Sequence, residues 1–315
     1  MNAVPSLSRM SEEWTFRSIA IVGCGAIGLY YGGRLAQAGE DVRFLLRSDY
    51  DAVKADGLKI ESTLGDFHLE KVQAFHNSEE IGAVDLVIVA WKATSNELLP
   101  IVLPPLLHER TQVLTLQNGL GNCEAIEKLV GPDRVLGALC FVCINRLGAG
   151  YARHTGKDRV SIGEWRPGLP GRAEEVSRRF QAAGIKALAV PNLQKAQWEK
   201  LIWNIPFNGL AITEGGVTTD ILLDTVEPEI HALMTEVVVT ARQLGFPLED
   251  DLIRLNIERT RPMGAYRPSS MIDFVEGREV ELSIWEHAIH AAREAGLEMP
   301  LTEKLFERIK TRCGL

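Results

Sequence analysis

The chain has 315 residues, a length that suggests two domains of ordinary size. Hydrophobic residues make up 46% and charged residues 24%, which excludes a disordered chain, a collagen and a coiled coil. The net charge of −8 disfavours non-specific binding to nucleic acid, although it allows a local basic pocket for a phosphate. No uncharged stretch reaches the roughly 18 apolar residues that a membrane-spanning helix needs.

Cysteine usage and the N-terminal sequence indicate a reducing compartment. The five cysteines are too few and too irregularly spaced for a disulfide framework. Residues 1–16 lack the basic segment and apolar core of a secretory signal, and we interpret them as a loose leader. We therefore predict a cytoplasmic protein. The pairs Cys140/Cys143 and His287/His290 have no companion ligands in the sequence, so we predict no metal.

Strand-like and helix-like segments alternate through residues 17–190. Runs of apolar and β-branched residues predict strands at 18–22, 41–46, 85–90, 112–116, 134–144 and 187–191. Helical patterns lie between them at 29–38, 95–107 and 123–129. Such alternation is typical of a parallel sheet with helices on its faces. The sequence therefore predicts a Rossmann-type α/β domain.

After residue 193 the strand signals end and long helical patterns follow. They cover residues 193–210, 226–244, 248–259 and 279–295. Gly245 and Gly296 stand where helices would end, each with a proline shortly after it. We predict an all-helical domain over residues 191–315.

A Gly-x-Gly-x-x-Gly motif follows the first predicted strand. It consists of Gly23, Cys24, Gly25, Ala26, Ile27 and Gly28. The first glycine allows a tight turn, the second lets the backbone approach a pyrophosphate, and the third lets the helix pack on the strand. Because a strand precedes the motif and a helix follows it, we predict a dinucleotide site here rather than a structural glycine turn.

The end of the second predicted strand indicates which dinucleotide binds. NAD-binding folds usually place an acidic residue there for the ribose 2′-hydroxyl. This chain has Arg47 and Ser48 instead. A guanidinium can bind a 2′-phosphate through two parallel hydrogen bonds, and Ser48 can add a hydroxyl. We therefore predict NADP, against the alternative that Arg47 is a solvated loop residue.

Polar residues also follow the third and fourth predicted strands. Lys92 follows the third at its carboxyl end, and Asn118 with Gly119 follows the fourth. Ligands bind beyond the carboxyl ends of parallel strands, so we predict that Lys92 and Asn118 contact the cofactor and that Asn118 also reaches the substrate. An ordinary turn asparagine before glycine is the alternative.

Lys200, Asn204 and Asn208 recur every fourth residue in an otherwise large and apolar segment, and so share one helix face. Buried polar groups are costly unless they face a polar cleft. A partly desolvated lysine has a lowered pKa, which suits a proton donor near neutral pH. A surface lysine is the alternative. Further on, Ser270 and Glu281 are candidates for substrate contacts, although a capped loop with solvated acids fits equally well.

Together these residues resemble the ketopantoate reductase (2-dehydropantoate 2-reductase) family, within the 6-phosphogluconate-dehydrogenase-like superfamily. The resemblance covers residues 17–297 and includes the glycine motif, Lys92, Asn118-Gly119 and the Lys-x₃-Asn-x₃-Asn helix. The family's Ser-Ser-Met, Asp, Gly-Arg and Glu segment is matched by Ser269, Ser270, Met271, Asp273, Gly277, Arg278 and Glu281.

The resemblance implies NADPH-dependent reduction of 2-dehydropantoate to (R)-pantoate, in pantothenate and coenzyme A biosynthesis. It implies that Lys200 is the general acid and that Glu281 lies beside the nicotinamide and the substrate hydroxyl. The residues that would orient the substrate are Asn118, Asn204, Asn208 and Ser270. A 2-oxo acid needs donors for its carboxylate and a proton source at its ketone.

The sequence departs from the family pattern after its last motif. The family often continues Glu-Ile-Asp and then Asn-Gly, whereas here the run is Glu281-Leu-Ser and then Trp-Glu-His287. The interval before this glutamate is one residue shorter, so Glu279 is an alternative to Glu281. These changes leave the cofactor and the reaction type in place but leave open a different 2-oxo acid.

Two other functions compete with this interpretation. One is a β-hydroxyacid or glycerol-3-phosphate dehydrogenase relative with the same domain order. The other is a non-catalytic NADP-binding sensor, against which the polar face around Lys200 argues. Helical C-terminal domains often pair through their outer helices, so we expect a homodimer. We expect a small-molecule substrate and neither a nucleic acid nor a membrane as partner.

Overall fold

A computed structural model describes residues 14–166 and 171–315; the predicted leader lies mostly outside these ranges. The strands of the described chain are β1 (Ser18–Val22), β2 (Asp41–Leu45), β3 (Leu58–Ser62), β4 (Phe67–Leu69), β5 (Gln73–Phe75), β6 (Leu86–Val89), β7 (Gln112–Thr115), β8 (Val135–Gly148), β9 (Tyr151–Glu164) and β10 (Lys186–Ala189). Its α-helices are α1 (Ala26–Gln37), α2 (Tyr50–Asp56), α3 (Ser78–Ile81), α4 (Leu99–Val102), α5 (Asn122–Val130), α6 (Arg172–Ala182), α7 (Leu193–Thr213), α8 (Thr219–Thr225), α9 (Glu227–Gln243), α10 (Leu252–Thr260), α11 (Ser269–Val275), α12 (Ser283–Glu294) and α13 (Pro300–Cys313).

Six parallel strands form the centre of the sheet, in the order β5-β2-β1-β6-β7-β8. The chain moves outward from β1 to β2 and then crosses to β6 on the other side of β1. Val22 is level with Leu45 on one side and with Val89 on the other, and Val89 is level with Thr115. The loops after these four strands therefore meet at one edge, at the strand-order reversal where such folds bind ligands.

The sheet continues beyond β8 in a way that the sequence prediction lacked. β8 and β9 form an antiparallel hairpin with 14 residues in each strand. β9 then pairs in parallel with β3 and β10, and β3 pairs with β4 in antiparallel fashion. The predicted parallel sheet is thus the central half of a mixed sheet.

The described residues from 190 onward contain helices and no strand, as predicted. Their centre is α7, of which most residues are buried against α9, α11, α12 and α13. None of the described helices is long and apolar enough to cross a membrane.

Three local predictions are corrected by the structure. Phe16 is fully buried and its ring lies 5.3 Å from that of Trp14, so residues 14–16 belong to the fold rather than to the predicted leader. The predicted helix over 95–107 is divided by prolines into short 3₁₀ and α segments. The last motif also differs, because Ser270 lies in the first turn of a helix, α11, and Glu281 precedes α12 instead of lying within it.

Candidate active site

The three glycines of the motif meet three different spatial demands. Gly23 has a φ of +94°, and a Cβ there would lie 2.4 Å from the amide nitrogen of Trp91. A Cβ on Gly28 would lie 2.1 Å from the carbonyl oxygen of Gly23, so this glycine lets α1 pack directly on the end of β1. A Cβ on Gly25 would meet no atom within 4 Å. Gly25 therefore borders open space.

The N-terminus of α1 opens toward that space. Gly25 is the N-cap, and within the described chain no side chain caps this helix and no acidic residue lies in its first turn. Free N–H groups and the helix dipole favour an anion there. The thiol of Cys24 points instead at the carbonyl of Leu45, 3.4 Å away, and burial raises its pKa. Residues 23–28 thus fit a pyrophosphate held by backbone groups.

The loop after β2 presents a free guanidinium beside this space. Arg47 is exposed, and its side chain has no hydrogen bond or ion pair with any described residue. Ser48 donates to Asp49 at 3.0 Å. Asp49 is buried and already paired with Arg146, and it also accepts from the backbone N–H of Gly150. The nearby acid is therefore occupied, and Arg47 is available for a phosphate.

Lys92, at the end of β6, reaches across to the helical domain. Its ammonium lies 2.8 Å from the carboxylate of Asp273 and donates to the carbonyl of Glu279 at 3.0 Å. The next residue, Ala93, donates its backbone N–H to Glu281 at 2.8 Å. These contacts tie the loop after β6 to the segment that follows α11. In this structure Lys92 bridges the two domains at the rim of the crevice.

Lys200 extends from α7 to the same sheet edge. Its ammonium donates to the side-chain oxygen of Asn118 at 2.8 Å and to the carbonyl of Cys140 at 2.9 Å. Burial lowers the pKa of Lys200, while Cys140 and Glu281 oppose that shift. Two neutral acceptors thus hold a lysine whose proton is more easily given up than that of an exposed lysine.

Asn204 and Asn208 lie one and two turns beyond Lys200 but have different surroundings. The amide of Asn204 has no hydrogen-bond partner among the described side chains and backbone groups, and it lines a small pocket with Lys200 and Asn118. Asn208 is fully engaged, because its amide nitrogen donates to the carbonyl of Asn204 and its oxygen accepts from the N–H of Ser270. Asn208 therefore positions Ser270, and each of its amide atoms already has a hydrogen-bond partner within the protein.

Glu281, rather than Glu279, faces this site. The Glu279 side chain is exposed, and only its backbone carbonyl takes part, as an acceptor from Lys92. Burial and the nearby charge of Asp273 raise the pKa of Glu281, whereas its bond to Ala93 and the charges of Lys92 and Lys200 act in the opposite direction. The geometry favours Glu281 as the residue that acts on Lys200.

Sequence reasoning missed two groups that shape the site. The carbonyl of Cys140 holds Lys200, yet a backbone oxygen leaves no residue-type signal. Asp273 pairs with both Lys92 and Arg278. Its membership of the Ser-Ser-Met segment was visible in the sequence, but its partner on the other domain was not.

Residues 19–167 match the family described as Ketopantoate reductase PanE/ApbA, and residues 192–312 match its C-terminal counterpart. The chain belongs to the ketopantoate reductase family. It is therefore an NADP-dependent oxidoreductase, as the sequence resemblance implied.

Individual ketopantoate reductases match over nearly the whole chain. A 2-dehydropantoate 2-reductase from Nostoc sp. is 39% identical over 305 residues, covering 95% of this chain and 96% of the relative. The crystal structure of 2-dehydropantoate 2-reductase from Geobacter metallireducens is 40% identical with a TM-score of 0.91, covering 93% and 99%. D-mandelate dehydrogenase with NADH and anilino(oxo)acetate, at 23% identity and a TM-score of 0.86 over 94% and 98% of the two chains, shares the fold.

Proposed function

We propose that this ketopantoate reductase reduces 2-dehydropantoate to (R)-pantoate with NADPH, a step of pantothenate and coenzyme A biosynthesis. The observation that carries the proposal is the contact between Lys200 and Asn118 across the domain boundary. It combines a lysine of lowered pKa with the edge of a nucleotide-binding sheet. The identity to a 2-dehydropantoate 2-reductase over nearly the full length supports the substrate.

The cofactor, when bound, supplies a hydride to the carbonyl carbon of the substrate. The chain's own task is to give the carbonyl oxygen a proton, which converts the 2-oxo acid into the 2-hydroxy acid. Lys200 suits this role because Asn118 and Cys140 fix its ammonium while burial lowers its pKa. The negative charge of Glu281 raises the pKa of Lys200 and so keeps the lysine protonated before the reaction.

Donors for the substrate lie around Lys200. The free amide of Asn204 and the second amide atom of Asn118 are available for a carboxylate or hydroxyl. The backbone of Ser270 is held by Asn208, which orients its hydroxyl-bearing side chain. We propose direct substrate roles for Asn118, Asn204 and Ser270, and a supporting role for Asn208.

The preference for NADPH over NADH rests on Arg47. Residues 23–28 and the start of α1 would hold the pyrophosphate, while Arg47 and Ser48 would meet the 2′-phosphate. Replacing Arg47 with Ala should raise the KM for NADPH much more than the KM for NADH. Equal use of both cofactors by the wild-type protein would contradict this assignment.

The decisive experiment follows NADPH oxidation at 340 nm with purified protein and a set of 2-oxo acids, 2-dehydropantoate first. We expect the highest kcat/KM with 2-dehydropantoate and (R)-pantoate as product. A higher value for another branched 2-oxo acid would change the substrate and keep the mechanism. Tight NADPH binding without turnover of any 2-oxo acid would favour the sensor instead.

We also propose a cytoplasmic location and a homodimer. The five cysteines are free thiols in the described chain, which suits a reducing compartment. Outer helices such as α8 and α9 carry exposed apolar residues, including Ile221 and Val239, which are candidates for a contact between copies. Light scattering on the purified protein would determine the number of chains.

A further inference from the structure

The loop that carries Asn118 is anchored in the helical domain, although it follows a strand of the sheet. We call residues 118–121 the Asn118 loop; it connects β7 to α5. The side chain of Leu120 is buried within the hydrophobic core of the helical domain, together with Trp198 and Leu201 of α7. The position of Asn118 therefore depends on how the helical domain packs around Leu120.

His287, on α12, holds the backbone of this loop. Its Nδ1 lies 2.6 Å from the carbonyl oxygen of Leu120. Because a carbonyl only accepts, Nδ1 must carry the proton and donate it. The imidazole also packs against the chain itself, since a Cβ on Gly121 would lie 2.4 Å from Nδ1. Gly121 has a φ of +81°, so the loop turns under the ring in a conformation that glycine accepts readily.

A second contact keeps the same helix close to the loop. A Cβ on Gly119 would lie 3.4 Å from the Cα of Ile284, one turn before His287. Asn118 also accepts, through its backbone carbonyl, from the amide of Asn122. The loop is thus held from α12 on one side and from α5 on the other, with the Asn118 side chain directed at Lys200.

We propose that His287 is a positioning residue for the reduction: by holding the carbonyl of Leu120 it fixes Asn118 against the ammonium of Lys200. His287 does not touch the reacting atoms and acts through the Asn118 loop. It lies in the segment where this sequence departs from the family's Asn-Gly. The inference rests on the proposed function for its kinetic readout.

Three variants of His287 and one control distinguish the effect of losing the hydrogen bond from the effect of losing the volume of the ring. His287→Leu removes the donor, His287→Asn keeps an N–H close to the position of Nδ1, and His287→Gln places its amide farther out. His290→Leu is the matched control, because His290 is exposed on the same helix and pairs only with Glu294 in the described chain. Thermal unfolding shows whether each variant is folded.

We expect His287→Leu and His287→Gln to lose roughly 10- to 100-fold in kcat/KM for the 2-oxo acid, because small displacements of a substrate-orienting group are costly. His287→Asn should recover most of the loss. Unchanged kcat/KM in His287→Leu would overturn the proposal. So would an equal defect in His287→Asn.

A second readout does not require turnover. The reactivity of Lys200 toward trace acetic anhydride, measured by mass spectrometry across pH, reports its pKa. The groups that act on this ammonium are the Asn118 amide, the carbonyl and thiol of Cys140, the ring of Phe141, and Glu281. Losing the hydrogen bond that Lys200 donates to Asn118 should lower the pKa of Lys200 in His287→Leu but not in His287→Asn. An inactive wild type would refute the proposed function, whereas unshifted Lys200 reactivity in His287→Leu would refute the role of His287.

Discussion

Lys200 differs from an ordinary lysine in what surrounds its ammonium. It has two neutral acceptors, Asn118 and the carbonyl of Cys140, within 3 Å and no carboxylate at salt-bridge distance in the described chain. A direct ion pair would stabilise the charged form and hinder proton release. Burial does the reverse and lowers the pKa of Lys200. The site therefore holds the ammonium in position without making its proton too hard to remove.

Replacing Lys200 with Met should remove the proton donor and keep most of the side-chain volume. We expect kcat to fall by about 10²–10⁴-fold, the usual contribution of a general acid. NADPH affinity, measured by fluorescence titration, should change little because Lys200 is on the helical domain. Lys195→Met is the matched control, since Lys195 is on the same helix but pairs with Glu199 and Glu249. A Lys200→Met variant with near-normal kcat would contradict the assignment.

The pH dependence of kcat should reveal the influence of Glu281 on Lys200. Lys200 donates only when protonated, so the rate falls as pH rises through its pKa. Burial lowers that pKa below the value of a free lysine, and the negative charge of Glu281 raises it part of the way back. Glu281→Gln should therefore move the alkaline limb to lower pH. Glu279→Gln should leave the limb in place, and a shift in this variant would reverse the choice between the two glutamates.

At the scale of the element, β1 and α1 form one unit that the glycines hold together. Gly28→Ala would force a Cβ to 2.1 Å from the carbonyl of Gly23 and push α1 away from β1. We expect it to lower the free energy of unfolding by about 1–3 kcal/mol and to weaken NADPH binding.

Gly25→Ala, whose Cβ meets no atom within 4 Å, should fold normally and lose NADPH affinity alone. Denaturant titration and NADPH titration test both; a Gly25→Ala variant with wild-type affinity would exclude close cofactor approach at Gly25.

The central elements could be predicted because their sequences follow simple rules. Strands such as β1 and β6 are covered on both faces by helices, so they are continuous apolar runs. Their carboxyl ends lie level, and this brings the predicted residues Gly25, Lys92 and Asn118 to one edge. The helical spacing of Lys200 and Asn204 likewise placed both on one face of α7.

The parts that escaped prediction depend on long-range pairing. In β9, charged residues such as Arg153 and Arg159 alternate with buried Ala152 and Val160. This two-residue alternation is typical of a strand, but the glycines and the many charged residues within the segment obscured it in the sequence. Which carbonyl reaches Lys200 depends on how the β8–β9 hairpin meets α7, which no local pattern encodes. The pairing of Lys92 with Asp273 joins residues that lie 181 positions apart in the sequence.

At the scale of the whole molecule, α7 links the two domains mechanically. Its first residue, Leu193, is buried in the core of the sheet, where a Cβ on Gly137 would lie 2.5 Å from the Leu193 side chain. The rest of the helix forms the centre of the helical domain. Leu120 makes the reverse connection, from a sheet loop into the helical core. Each domain therefore contributes a side chain to the other's core, which favours unfolding as a single unit.

This coupling predicts that NADPH, although held mainly by the sheet, stabilises the whole chain in one transition. At 100 times its dissociation constant a ligand adds about 2.7 kcal/mol to the free energy of unfolding. Calorimetry should show one peak that moves as a unit to higher temperature.

Leu193→Ala should lower the free energy of unfolding by about 2–5 kcal/mol, as for other buried leucines, and should weaken the coupling between the domains. Leu188→Ala, at an exposed position on β10, is the control and should change little. Two separate transitions in the wild type, of which NADPH moved only one, would show that α7 connects the domains without coupling their stabilities.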